Sequence, residues 1–486
     1  MSTTSNYYVT TSIPYVNGEP HLGHAMEFVM ADVIARAARA KGSNVLFSTG
    51  TDEHGGKIAE KAAEKGLEPE ELAEQMSQKF RDLAEALDIS ADRFIRTTDE
   101  AHEKRAQLIW KALKDDIYKN KYVGWYCTGD EEFFTETVVK ENKGVCPDHN
   151  RPYEKVEEEN YFFRLSKYGD DIKKSIESGA FQIVPKTRRN EILSVINEGL
   201  EDISISRPKN KISWGIPVPG DPHQVMYVWF EALLNYITVL GYPEHEDFKK
   251  FWPANVQVIG KGILRFHAAI WPGILLALGL PLAKSLYVHG YVTVNDQKMS
   301  KSLGNAVSPS EIIEKYGVDA FRYYFLRHVP SYDDGDFSWD KLEAAYNNEL
   351  ANELGNAVQR TSVMIMKYQG GLIGDIPEPE HDIAQYLTAL EHYRFDVALD
   401  EVWAQVRGLN QYIEEEKPWE VAKSGDADHL REVLAYQASS LLQIATLLEP
   451  FMPKTALRIR NVFQEGVIRP TKLTLFPKFE TVEEVA

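Results

Sequence analysis

Pro20-His21-Leu22-Gly23-His24 stands between two unlike patterns. Ahead of it, Tyr7-Tyr8-Val9-Thr10-Thr11-Ser12-Ile13 is rich in aromatic and β-branched residues and reads as a short strand. The turn-rich link Pro14-Tyr15-Val16-Asn17-Gly18 follows it. Behind it, Leu22, Met26, Val29, Val33, Ile34 and Ala37 recur at helical spacing as far as Lys41-Gly42. The pattern is strand, loop, helix start. A helix start presents free N–H groups and the positive end of the dipole, and anions bind there. Two imidazoles at that point suit a phosphate undergoing chemistry. Taken alone, a His-x-x-His of this kind more often caps and packs, so the decision falls to the rest of the chain.

Working outward, Asn44-Val45-Leu46-Phe47-Ser48 is a second strand of buried type, ending in Thr51-Asp52-Glu53-His54-Gly55. Polar clusters just past strand ends are where open α/β sheets place their ligands. Acidic helical stretches follow over 57–65 and 69–87, then a short strand over 94–98 and a helix over 101–119. Alternating strands and helices predict a doubly wound, parallel, Rossmann-type sheet of the α/β class. From about Tyr122 short aromatic β-like pieces stand among charged loops, as in a small inserted module. Within it, Cys127-x-x-Asp130 and Cys146-Pro147-Asp148-His149 have the layout of a zinc knuckle, with Asp130 where a structural site prefers sulfur. A metal-free knuckle held by aromatic packing is the other candidate.

Helical patterning returns at Tyr168. A strand is expected over 224–229, with Trp229, Leu233 and Tyr236 on one face of the helix after it. Val256-Gln257-Val258-Ile259 is another buried strand, ending in Gly260-Lys261-Gly262, and residues 286–292 form the last. Lys298-Met299-Ser300-Lys301-Ser302 puts two lysines and two serines in one phosphate-seeking loop. From Leu342 three amphipathic helical stretches, 342–368, 382–416 and 429–463, predict an all-α helix bundle. The expected organisation is a catalytic domain in two halves, 1–120 and 168–292, with an insertion at 121–167. A lysine-loop and stem-contact region spans 293–341, and a helical domain 342–486.

The 486 residues carry a net charge of −19 and two cysteines. The charge argues against broad binding to DNA or RNA, although Lys186, Arg188, Arg189, Arg207, Lys209 and Lys211 make a local basic patch. Two cysteines are no disulfide framework, and a reducing cytoplasm is the expected compartment. No apolar run reaches membrane-spanning length, and the first residues lack the features of a secretory or transit peptide.

Pro14-Tyr15-x-Asn17-Gly18-x-x-His21-Leu22-Gly23-His24, together with Lys298-Met299-Ser300-Lys301-Ser302, resembles the class I aminoacyl-tRNA synthetases. Thr51–Gly55, Tyr227-Val228-Trp229, Arg265-Phe266-His267, His289-Gly290-Tyr291-Val292 and the helical C-terminal region are similar, more narrowly, to the methionine family. That resemblance implies a two-step reaction: methionine and ATP give methionyl-adenylate and pyrophosphate, and methionine passes to the 3′ end of initiator and elongator tRNAs. It implies His21, His24, Lys298 and Lys301 as catalytic residues. ATP, with Mg2+, would be bound by His21, Gly23, His24, Gly260, His289, Gly290, Val292 and Lys301. Methionine would meet Ile13, Tyr15, Asp52, Trp229, Leu233, Tyr236 and His267. Aromatic rings suit a polarizable thioether, and Asp52 suits its ammonium. Asn356, Arg360 and Trp419 would read a CAU anticodon, since Trp stacks on unpaired bases while Asn and Arg bond their edges. Cys127, Asp130, Cys146 and His149 are the candidate zinc ligands.

Two departures from the family pattern stand out. Gly262 occupies a position usually held by Asp, near the expected ATP ribose, and Asp130 interrupts the knuckle. These 486 residues do not include the family's appended dimerisation domain, and a monomer is expected. Rival assignments are a sister synthetase for leucine, isoleucine, valine or cysteine, a nucleotidylyltransferase, and an RNA-binding protein derived from a synthetase that has lost activity. The chain lacks room for the editing insertion of the first three synthetases, and the intact histidines and lysines oppose decay.

Overall fold

Apolar strands that alternate with amphipathic helices can bury both faces of a parallel sheet. The computed structural model describes residues 5–127, 132–134, 136–147, 150–298, 307–378, 382–464, 466–468 and 474–478. Its central sheet contains β1 (Asn6–Thr10), β2 (Asn44–Thr51), β3 (Arg93–Arg96), β4 (Gln182–Val184), β5 (Val256–Gly260) and β6 (Ser285–His289). The order across the sheet is β3-β2-β1-β5-β6-β4. β1 pairs in parallel with β2 and β5, β2 with β3, and β6 with β4. From β1 the next strands in sequence, β2 and β3, lie to one side, and β5 lies on the other. The carboxyl ends of β1 and β5 therefore flank the switch point where such sheets bind ligands. All five residues of β6 and the last six of β2 are buried.

The chain forms two compact units: Met1–Pro20 with Gly42–Leu83 and Ser90–Val288, and His21–Lys41 with Ala84–Ile89 and His289–Ala486. In the first, Tyr8, Trp110, Phe163, Phe230, Tyr236 and Trp271 share a continuous apolar core. The helix expected over 101–119 ends at Ala112. Ile117–Cys127 is a strand instead, paired antiparallel with Glu154–Phe163 from Ile117↔Phe163 to Tyr126↔Glu154. Pairing partners distant in sequence overrode a local helical signal. At its far end Cys127 and Cys146 are buried with Val139 and Tyr153 in a small separate core. The strand expected over 224–229 lies at Asp221–Met226, because Tyr227 is already the cap of the helix Val228–Leu233.

In the second unit, α1 (Leu22–Ala40) is anchored by charge as well as by apolar packing. Arg322 is fully buried. It ion-pairs with Asp32 of α1 at 2.7 Å and donates to the carbonyls of Leu87, Pro450 and Phe451 at 3.1, 2.9 and 2.6 Å. Four acceptors from three chain segments converge on this one guanidinium, which is the pairing a buried charge requires. The predicted helical stretch 382–416 divides into Ala384–Glu391 and Phe395–Glu416, because Tyr393 takes a left-handed conformation with φ of 55°. The stretch 429–463 divides into Ala427–Leu448 and Pro453–Phe463, across Pro450 and Pro453. Among the described residues no helix is long and apolar enough to cross a membrane.

Candidate active site

α1 begins with an unusual cap. Helix caps are ordinarily Ser, Thr, Asp or Asn, whose oxygen accepts an orphan backbone N–H. Here the extended cap residue is His21, and its Nδ1 accepts from the N–H of Gly23 at 3.1 Å. The Nδ1 of His24 reaches back to accept from the N–H of His21 at 3.3 Å. A nitrogen that accepts carries no proton, so both neutral rings are Nε2–H tautomers. The rings stack with centroids 3.6 Å apart. Two charged imidazoliums would repel at that distance. Desolvation, reinforced by His21 and His289, holds His24 well below the usual imidazole value. His21 has one edge open to solvent, yet the protein packed around the ring lowers it to about 4 against the opposing pull of Glu27. The pair is thus two neutral N–H donors at a helix N-terminus. Gly23 keeps the space between them open, since a Cβ there would stand 3.0 Å from the His21 ring, a tight contact.

His289 lies within the same unit as α1. Its Nε2 meets the Glu27 carboxylate at 2.9 Å and its Nδ1 the Gly290 carbonyl at 2.8 Å. Gly290 is confined by backbone: a Cβ would lie 2.2 Å from the Asp333 carbonyl oxygen. Val292 is buried and starts a strand that pairs with Gly335–Phe337. Lys298 ends the strand Gln297–Lys298, and Lys301 lies outside the described residues.

The residues expected to meet methionine all belong to the first unit. Beyond β1 the chain continues beside β2: Asp52 donates its N–H to the Pro14 carbonyl at 2.8 Å and accepts from the Val16 N–H at 3.1 Å, setting Tyr15 beside Asp52. Asp52 is buried, while Ile13, Tyr15 and Trp229 are half-buried. Trp229 stacks on Phe266 at 4.3 Å, and Tyr236 meets the His267 ring edge-on. His267 bonds the Ile263 carbonyl through Nδ1 at 3.0 Å, so that nitrogen carries the proton. Its Nε2 therefore accepts from the Tyr236 hydroxyl at 2.7 Å. Leu233 is buried beside them in the core. Gly260 ends β5, and Gly262 is exposed in the short 3-10 turn Lys261–Ile263.

The neighbours of Asp52 are held by charge. Glu53 takes Arg96 at 2.8 and 2.9 Å and the Thr51 hydroxyl at 2.8 Å. His54 Nδ1 meets one oxygen of Glu231 at 2.8 Å, and His102 Nε2 meets the other at 2.9 Å. Burial disfavours the His54 charge, but Glu231, with Glu103 and Asp52, overcomes it and raises His54 to about 10. Glu231, His102 and Glu27 were not singled out from the sequence: partners 177, 129 and 262 positions apart leave no local signal.

The second unit can therefore offer neutral donors and backbone to a nucleotide, and the first unit, by itself, a carboxylate with an aromatic wall to an amino acid. The model of the class I tRNA synthetases (M) matches residues 7–154 and 149–362. The chain is 47% identical over 465 residues to the methionine--tRNA ligase of Caldanaerobacter subterraneus, covering 92% of this chain and 72% of that one. This chain belongs to the methionine--tRNA ligase family. It is 42% identical over 475 residues to the Brucella melitensis family member, covering 94% and 91% of the two chains. It superposes on the Mycobacterium tuberculosis methionyl-tRNA synthetase in complex with methionyl-adenylate with a TM-score of 0.90 at 36% identity, over 98% and 100% of the chains. The fold expected from the sequence is the family's fold.

Among the described residues no group of three or more His, Cys, Asp or Glu is arranged to hold a metal. Cys127 and Cys146 share one small core, while Asp130 and His149 lie outside the described residues. In the helical region Arg360 lies over the Trp419 ring at 5.6 Å and pairs with Glu414 at 2.7 Å, and Asn356 is exposed at the head of the same helix as Arg360.

Proposed function

We propose that the chain is a methionine--tRNA ligase whose α1 histidine pair carries the activation step. The methionine carboxylate oxygen attacks the α-phosphorus of ATP, the bond to the β-phosphate oxygen breaks, and pyrophosphate leaves with its electron pair. The nucleophile is already anionic, so this step needs no general base. What it needs is positioning and charge stabilisation. The observation that carries the proposal is the paired Nε2–H tautomer of His21 and His24 at a helix N-terminus. Both donate to phosphate oxygens as charge gathers there. Lys301, and less directly Lys298, hold the pyrophosphate end, and Mg2+ enters with ATP as part of the substrate. Gly23, Gly260, His289, Gly290 and Val292 are assigned to ATP. Asp52 holds the methionine ammonium, and Ile13, Tyr15, Trp229, Leu233, Tyr236 and His267 enclose the thioether.

In the second step a ribose hydroxyl at the tRNA 3′ end attacks the methionyl carbonyl and AMP leaves. Arg360 stacked on Trp419, with Asn356 exposed beside them, suits unpaired anticodon bases. We assign these three to the CAU anticodon, the enzyme to the cytoplasm, and its working form to a monomer. Cys127, Asp130, Cys146 and His149 remain the proposed zinc ligands, with metal analysis as their test.

Methionine-dependent ATP–pyrophosphate exchange, followed by tRNA charging, tests the whole assignment. Better stimulation of exchange by leucine or valine than by methionine would sink it. Arg360→Ala is expected to lower charging while leaving exchange unchanged.

A further inference from the structure

The buried cluster behind the proposed methionine wall is tied to it at three points. Glu231 is fully buried, and His54 and His102 are nearly so. The Glu231 carboxylate bonds His54 on one oxygen and His102 on the other, and His102 Nδ1 continues to the Thr238 hydroxyl at 2.8 Å. Each point of this chain lies two residues from a proposed substrate contact. His54 follows Asp52. Glu231 stands midway between Trp229 and Leu233, and Thr238 follows Tyr236. In a helix, positions four apart share a face and the position between them points away. Trp229 and Leu233 thus share one face of the helix Val228–Leu233, and Glu231 holds its back. The Tyr236 turn is held again from β1, where the Tyr8 hydroxyl donates to the Tyr236 carbonyl at 3.0 Å.

The segment with Asp52 has its own anchors. The Trp214 indole N–H donates to the Glu53 carbonyl at 2.6 Å, and the Gly55 N–H to the Trp214 carbonyl at 3.2 Å. Without Glu231 these anchors hold the Asp52 segment, and the Tyr8 hydroxyl, which bonds both the Ser48 hydroxyl of β2 and the Tyr236 carbonyl, ties its strand to the Tyr236 end of the wall; Glu231 adds the tie from His54 straight to the helix of Trp229 and Leu233. Fully buried charge is costly unless paired. Here the pairing spans two structural elements, and it is strong enough to keep His54 protonated at neutral pH.

We propose that Glu231 is a positioning residue for amino-acid selection, locking the ammonium-binding carboxylate of Asp52 at a set distance from the Trp229–Leu233–Tyr236 wall. Methionine must satisfy both ends at once, so the distance measures its length. This rests on the assignment of that wall to methionine. Glu231 touches no substrate itself.

The test compares Glu231→Ala and Glu231→Gln in methionine-dependent ATP–pyrophosphate exchange, with KM for methionine and for ATP measured separately. Glu231→Ala is expected to raise KM for methionine at least tenfold, with KM for ATP within twofold. It should also narrow the preference for methionine over the shorter homocysteine at least threefold. Glu231→Gln keeps an acceptor for His54 and places an amide opposite His102 in the same space, so it should restore KM for methionine to within threefold of the parent. A merely structural role would instead lower the active fraction, and so kcat, with both KM values and the preference unmoved; that result overturns the proposal. If Glu231→Ala fails to fold, His102→Asn at the outer end of the chain of bonds decides. A threefold or greater rise in KM for methionine alone supports the role, and no change overturns it. Should the unmodified enzyme show no methionine-dependent exchange, the methionine assignment itself fails, whatever the variants do.

Discussion

One side chain is driven in opposite directions at two places in this molecule. At the start of α1, His21 is lowered to about 4 and His24 is also pushed down. Beside Glu231, His54 is raised to about 10. Desolvation disfavours charge in all three. What differs is the neighbour. The α1 histidines face each other and His289, and their acceptor nitrogens are already taken by backbone N–H groups. His54 faces a buried carboxylate. A donor to phosphate must offer a hydrogen without drawing a fixed counter-ion into the site. A strut between elements gains from full charge on both partners, because a charge-assisted bond is stronger and shorter.

The sharpest way to break this comparison is to remove a donor. His24→Ala is expected to slow adenylate formation about 10²- to 10³-fold, the range for losing one donor to developing charge. KM for methionine should stay within about twofold. An unchanged exchange rate in that variant would mean the pair is only a cap. Next, Asp52→Asn should raise KM for methionine roughly ten- to a hundredfold, as loss of a charged hydrogen bond predicts, with KM for ATP little altered. A parallel rise in both would place Asp52 in the general architecture instead.

Gly262→Asp returns a carboxylate to the exposed turn after β5. KM for ATP is expected to fall by up to about tenfold, the value of one added hydrogen bond; a rise would show that this turn is built differently from the family pattern. The smallest effect sharpens the contrast through stability. His54 is raised above its unfolded value, so its contribution is complete below about pH 6.5 and is lost as pH climbs toward 10. The slope is at most roughly 1.4 kcal/mol per pH unit, and it should flatten in His54→Gln when unfolding is followed from pH 7 to 9.5. His24 runs the other way: its value is lowered, so stability is lost as pH falls below 6.5. A denaturation series in acid on His24→Gln should lose part of that decline.

The frame of the molecule was legible because it is written locally. The strand, loop and helix around Pro20–His24 follow from a change of period within thirty residues, and the family motifs sit at strand ends. Three features escaped for separate physical reasons. The helix over 101–119 stops at Ala112 because the following residues pair with Glu154–Phe163, a partner no window contains. The break at Tyr393 needs a left-handed residue that is not glycine, and composition does not announce one. Glu231 carries no local signal, because only the fold brings His54 and His102 to its two oxygens.

Arg322 bears on how the molecule could be shortened. A fragment ending near residue 341 would keep every position assigned here to ATP and methionine. It would also keep Asp32 and Leu87 as partners of the guanidinium, but the carbonyls of Pro450 and Phe451 would be gone. The cation that steadies the helix of His21 and His24 would then lose two of its acceptors, so trimming away the helical region would loosen the two histidines proposed to meet ATP by taking away backbone oxygens assigned no contact with substrate.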